Sequence, residues 1–119
     1  MLHEFEQWIA LSTFNTSHLR NHGDFPAVYV LRDKTTDDVL KFGHTGHMRR
    51  RIVANYLGGV GGPTTQRIHA ELFTNIWIDR VEISWIEMES KAAAEIKEKA
   101  LRAMYKNTHR RLPPWDRQS

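Results

Sequence analysis

The sequence has no cysteine. Disulfide staples and thiolate zinc sites are therefore excluded, and a cytosolic location is the default expectation. Long hydrophobic runs are missing as well. Nothing approaches the roughly 20 apolar residues that span a bilayer, and mean hydropathy is −0.56. The opening MLHEFEQWIALSTF carries Glu4 and Glu6 and lacks the basic start and small-residue cleavage site of a secretory signal. Charge of one sign is in small surplus only, +3 with a pI near 9.4, which permits a phosphate-rich partner without naming one. There is no internal repeat and no low-complexity tract. At 119 residues the chain is long enough for one domain with a real core and too short for two.

What is present is organised around residues 39–52, VLKFGHTGHMRRRI. The stretch reads as a strand that stops at Gly43, turns through Thr45-Gly46 and opens a helix carrying Arg49-Arg50-Arg51. Lys41, His44, His47, Arg50 and Arg51 thus crowd one strand-to-helix corner, more ionisable side chains than a core requires. Residues 27–32 (AVYVLR) and 38–43 (DVLKFG) read as two strands of an antiparallel hairpin. Alternation places Val28, Val30, Leu40 and Phe42 on a buried face, and Tyr29 with Lys41 on the other. Pairing of Val30 with Leu40 then sets Tyr29 directly across from Lys41.

Downstream, a helix over 46–56 points Met48, Ile52 and Tyr56 inward. The loop Gly58-Gly59-Val60-Gly61-Gly62 follows without a Gly-Lys-Ser/Thr, so it is not a nucleotide-binding P-loop, though glycine does let backbone approach a phosphate closely. Pro63 opens a helix to about residue 75 that carries Arg67, with Ile68 and Leu72 inward. A third strand covers 81–86, and Ser90 caps a long helix to about residue 107. Upstream, periodicity predicts a short helix over 3–11 with Phe5, Trp8 and Ile9 on one face. Asn15-Thr16-Ser17 supplies cap-type residues for a further turn before His22-Gly23-Asp24. The tail RRLPPWDRQS is an irregular basic segment containing Arg110 and Arg111. The chain therefore belongs to the mixed α/β class, of the α+β kind. It is predicted to hold a three-stranded antiparallel sheet flanked by helices over 27–119, with 1–26 as an N-terminal helical extension.

The long helix offers two acids for chemistry. At about 100° per residue, Ala93, Ile96, Ala100, Ala103 and Met104 form an apolar stripe, extended to one side by Ala94, Leu101 and Tyr105. Glu98 lies at the rim of this arc, where it can look along the packed surface toward the sheet. Glu95 falls outside with Lys91, Lys99 and Arg102, and reads as a solvated partner of Lys99.

A strand-borne Tyr, a Gly and an Arg at a strand-to-helix corner, and a later helical Glu together resemble the GIY-YIG endonuclease superfamily. Val28-Tyr29-Val30 looks like its first motif and Lys41-Phe42-Gly43 like its second. Arg51, eight residues beyond Gly43, occupies the place of the family's arginine, and Glu98 that of its metal-binding glutamate. Leu101, Tyr105 and Leu112-Pro113-Pro114 follow Glu98 at spacings similar to those of many small members. The likeness runs from about residue 27 to 116. Three positions depart from the pattern: Ala27 replaces the first Gly, Lys41 replaces the second Tyr, and Asp116 is the polar residue after the double Pro.

The resemblance implies metal-dependent cleavage of DNA phosphodiesters with Mg²⁺ or Mn²⁺. Glu98 would hold the metal, Arg51 would offset charge on the phosphoryl oxygens, and Tyr29 would act as general base. Lys41 would lower the phenol's pKa, and His44 would bind phosphate or relay a proton. The expected DNA-binding surface comprises Gly43, Thr45, His47, Arg49, Arg50, Arg67, Arg110 and Arg111. Two other readings stand beside it. His44-Thr-Gly-His47 has the spacing of a two-histidine metal site, while His69 and His109 suit surface or capping roles. A catalytically silent nucleic-acid-binding or protein-interaction module on the same fold would keep the basic face without the chemistry.

Overall fold

The computed structural model describes residues 2–116. Seven elements follow one another: β1 (Ile9–Ala10), β2 (Ala27–Asp33), β3 (Val39–Thr45), α1 (Arg50–Leu57), α2 (Pro63–Phe73), β4 (Val81–Glu87) and α3 (Lys91–His109). The strands form one antiparallel sheet in the order β1-β4-β2-β3, so the sheet has four strands where three were expected. The fold is α+β, as expected.

The fourth strand comes from the segment read as a helix. Residues 3–11 form no helix; Ile9 and Ala10 instead pair with Ile83 and Glu82 at the edge of the sheet. Trp8 is held by its indole N–H on the Phe5 carbonyl, 3.1 Å away, and by the Arg32 guanidinium over its ring. Free β4 edge hydrogen bonds and these contacts outweigh a weak helical period. Short 3₁₀ turns follow at Leu11–Thr13, Thr16–His18 and Arg20–His22, with Asn15 capping the second through its side chain on the Ser17 N–H.

The hairpin of β2 and β3 has the expected sense but not the expected register. Val30 pairs with Phe42, Tyr29 with Gly43 and Leu31 with Lys41, and the ladder then slips so that Arg32 meets Val39. Leu40 is the extra residue of a bulge, which turns it onto the same face as Lys41. The cause lies in the turn. Asp33 accepts from the Thr35 N–H and hydroxyl, Asp37 adopts a left-handed φ of 63°, and its N–H returns to the Asp33 carbonyl. A turn built this way sets the register of everything before it.

Each face of the sheet carries its own core. On one side Tyr29, Leu31, Leu40 and Ile83 pack against Met48, Ile52 and Tyr56, against Ile68 and Leu72 of α2, and against Trp115. On the other, Val28, Val30, Val39 and Phe42 meet Leu101 and Tyr105 of α3 and Phe5. The inward residues expected for α1 and α2 are all fully buried. For α3 the expected arc is right on one side and wrong on the other: Ala94, Leu101 and Tyr105 face the sheet with Glu98 beside them, as expected, but Ile96 is 71% exposed and Met104 is exposed too. The helix is rolled toward its Glu98 side: Leu101 and Tyr105 enter the core of that face, and the Glu98 carboxylate goes in with His44 and Arg102 as its partners. Ser90 caps the helix as expected, its Oγ accepting from the Ala93 N–H at 3.0 Å.

Candidate active site and basic cleft

The site grows out of Gly43. A Cβ at this position would overlap the Tyr29 ring, which lies flat across the glycine from the neighbouring strand. Only glycine lets the phenol occupy that space. Tyr29 is 1% exposed, and its hydroxyl is 2.5 Å from that of Tyr56 on α1. Burial pushes the Tyr29 phenol well above the ordinary tyrosine range, and Tyr56 pushes the same way while Arg51 pulls it down.

Arg51 reaches this pair because α1 is wound as a π-helix. Five residues along an α-helix separate two side chains by about 140°. A helix closing on i→i+5 hydrogen bonds is wider and brings them much closer to one face. The Arg51 guanidinium accordingly stands 5.8 Å from the centre of the Tyr56 ring. Burial alone would lower the Arg51 pKa, but Tyr29, Tyr56 and Glu98 hold it above the usual guanidinium value. Its Nε is buried without a hydrogen-bond partner among the described residues.

Of the acids, Glu98 comes from the other face of the sheet and Asp116 from beside the edge strand β3. Glu98 is 6% exposed; one oxygen contacts His44 Nδ1 and the other accepts from Arg102 Nη1 at 3.1 Å. Asp116, in the turn Pro114–Asp116, accepts from Lys41 Nζ at 2.8 Å and from the Phe42 N–H at 2.9 Å, with Arg102 Nε 3.9 Å away. A chain of charges thus runs His44–Glu98–Arg102–Asp116–Lys41. It wraps round β3, which as an edge strand leaves this passage open between the faces. The Glu98 charge raises the pKa of both Tyr29 and Arg51, as the least of the influences on each.

Beside it lies a cleft of about 440 Å³ lined by Thr45, Gly46, His47, Arg50, Arg51, Asn55 and Lys91, with Pro26 closing one side. Among the described residues the lining contains four basic side chains and no carboxylate.

The expected residues fall into three groups. Tyr29, Gly43, His44, Arg51 and Glu98 come together, as do Thr45, His47, Arg50 and Arg51 in the cleft. Lys41 does not join Tyr29: the register places it across from Leu31 and its ammonium lies on Asp116. Arg67 is turned away, donating to the Trp115 carbonyl at 2.9 Å. Arg110 borders a separate hollow with Ala103, Lys106 and Asn107, next to the exposed Arg111. That hollow is at the far end of α3 from Lys91, roughly 28 Å away at 1.5 Å per residue. Arg49 donates its backbone N–H to Asp24 at 2.8 Å, and His47 is 3.6 Å from the same carboxylate. His44 and His47 therefore serve different acids, Glu98 and Asp24. His69 donates Nδ1–H to the Tyr56 carbonyl, and His109 stacks on Tyr105.

Tyr56, Lys91 and the bridging role of Arg102 were missed. Tyr56 read as core, yet a phenol in an inward stripe of aliphatics needs a partner for its hydroxyl, and that was the available signal. Lys91 read as a residue of an outer face because nothing in the sequence shows that α3 starts against Gly46.

Glu98 is the residue that would hold a divalent cation of the magnesium type. Each of its oxygens keeps one lone-pair direction beyond its present contact. Mg²⁺ takes one or two carboxylates and fills its other positions with water and phosphate oxygens. Among the described residues no group of three or more His, Asp or Glu forms an all-protein cage. No protein-family model matches the chain, and no curated protein matches it.

Proposed function

We propose that this chain is a divalent-metal-dependent endonuclease that hydrolyses DNA phosphodiester bonds, built on a GIY-YIG-like plan. The observation that carries the reading is Arg51. Its side chain lines a cationic cleft whose described lining holds no carboxylate, and Tyr29, Tyr56 and Glu98 act on its charge. A phosphate in the cleft matches the lining charge and pairs with a guanidinium of this kind. Arg50, Lys91 and His47 hold neighbouring phosphates, and Arg51 offsets charge that grows on the attacked phosphoryl group. Mg²⁺ or Mn²⁺ at Glu98 would polarise that group and favour both the phenolate of Tyr29 and the departing oxygen.

In this reading Tyr29 is the proton acceptor. The closed site holds its phenol protonated, and Arg51, in the place expected of Lys41, is the cation that draws the pKa down. His44 keeps Nδ1 on Glu98 and presents its other ring nitrogen for relaying the proton outward. One observation favours a second reading. Both oxygens of Glu98 already have cationic or imidazole partners and Tyr29 is closed off, as in a module that binds nucleic acid without cutting it.

Incubation with duplex, branched and single-stranded DNA, with and without EDTA, separates them. The nuclease cuts at least one substrate, and only when metal is present. Cutting undiminished by EDTA removes the role of the metal, and binding of all substrates without cutting establishes the silent module.

A further inference from the structure

The glycine loop and α2 leave an apolar shelf beside the cleft that the chemistry does not use. Gly59, at φ +72°, lies so close to His69 that a Cβ there would meet the imidazole at 2.9 Å. The His69 ring is fixed from beneath by the Tyr56 carbonyl, and Phe73 lies against it with ring centres 4.8 Å apart. The outer surfaces are open: Phe73 is 45% exposed and Val60, at the tip of the loop, 65%. The loop itself is pinned. Asn55 donates to the Val60 carbonyl at 2.6 Å, the Val60 N–H returns to Ala54, and Gln66 holds the Gly59 carbonyl. Asn55 also lines the cleft, so the shelf is continuous with the basic surface.

We propose that Val60, His69 and Phe73 form a stacking platform for nucleobases of a strand whose phosphates occupy the cleft. The proposal rests on the nucleic-acid reading of that cleft and adds to it the part of the ligand that leaves the backbone. A polyanion with flat apolar faces satisfies both surfaces at once: cationic side chains take the phosphates, and rings take the bases. Stacking is sequence-tolerant, since every base offers a π-face, so the platform confers a preference for unpaired or splayed bases rather than for a sequence.

The test measures fluorescence anisotropy of the full chain in EDTA, which prevents cutting. Two labelled single strands of equal length are compared, one with bases and one whose central nucleotides are abasic. The base-bearing strand binds more tightly by about 5- to 150-fold per stacked base. Phe73→Leu keeps apolar bulk at a half-exposed position and removes the π-face, so the two strands converge. Phe73→Trp restores the difference. Equal binding of both strands by the wild type overturns the platform while leaving the cleft intact. Binding of neither strand overturns the nucleic-acid reading itself. A base preference that survives Phe73→Leu places stacking elsewhere and overturns the assignment. Loss of self-association in the Phe73 variants, measured by sedimentation, would make the shelf a protein contact and overturn it as well.

Discussion

The two ends of β3 carry similar residue types and use them in opposite ways. At the Lys41 end each charge is matched. The ammonium and the Asp116 carboxylate are 2.8 Å apart and mostly buried, and Asp116 also secures the Phe42 N–H. At the Thr45 end the cleft gathers Arg50, Arg51, Lys91 and His47 without a lining acid. Matched charge holds a fold together, whereas surplus charge of one sign on a concave surface remains available to attract a ligand. The same contrast recurs along α3, where Glu98 is enclosed and Glu95 is a half-exposed neighbour of Lys99 at 3.6 Å.

Catalytic variants give the largest expected effect. Glu98→Gln and Tyr29→Phe are close to isosteric, so both should fold by circular dichroism. Tyr29→Phe should lower turnover by about 10²–10⁴-fold, the usual loss for a general base. Glu98→Gln should remove metal-dependent cutting altogether, while Glu95→Gln cuts like the wild type. Equal loss in both glutamate variants would erase the contrast along α3.

At the matched end the effect should be on stability. Asp116→Ala leaves the Lys41 ammonium enclosed without its counter-charge and strips the acceptor from the Phe42 N–H. Denaturant unfolding should show a loss of about 3–5 kcal/mol. Lys41→Met should cost much less, because Asp116 keeps its backbone donor and its neighbour Arg102. If Lys41→Met instead abolishes cleavage at unchanged stability, the ammonium belongs to the chemistry after all.

A smaller effect distinguishes the cleft from the other basic surface. Arg50→Gln and Lys91→Gln should each reduce the slope of log K against log salt by about 1, because each variant neutralises one phosphate fewer. On a duplex too short to reach the far end of α3, Arg110→Gln should leave the slope unchanged. The smallest effect is alkaline. A phenol whose pKa is raised in the fold stabilises it fully below the unfolded value, and the contribution falls as pH rises past about 10. Wild-type stability should drop above that pH, and Tyr29→Phe should flatten the drop in a series of melts.

Much of this fold was legible in the sequence. The hairpin, the inward residues of α1 and α2, β4 and the Ser90 cap all follow from periodicity and turn chemistry, which act locally. Gly43, Arg51 and Glu98 were legible as an ordered set. What escaped depends on geometry that no local pattern carries. The register of β3 follows from one bulge at Leu40, and that displaced Lys41 from Tyr29. The meeting of Arg51 with Tyr56 follows from π winding, whereas a wheel drawn at α-helical pitch separates them. The roll of α3 was misjudged on one side: Leu101 and Tyr105 enter the core with a buried glutamate beside them and leave Ile96 and Met104 outside, whereas hydropathy alone ranks Glu98 below those two. β1 was missed because two residues hold too little pattern to overcome a helical reading.

The length of α3 has a consequence for the scale of any target. The helix begins with Lys91 in the cleft and ends beside Arg110 and Arg111. Its span of roughly 28 Å is close to the rise of eight base pairs at 3.4 Å each. On the nucleic-acid reading proposed above, the helix would act as a ruler. A duplex below that length would touch only one basic surface and a longer one would be gripped at both, so the smallest footprint engaging both ends would be set by the number of residues in a single helix.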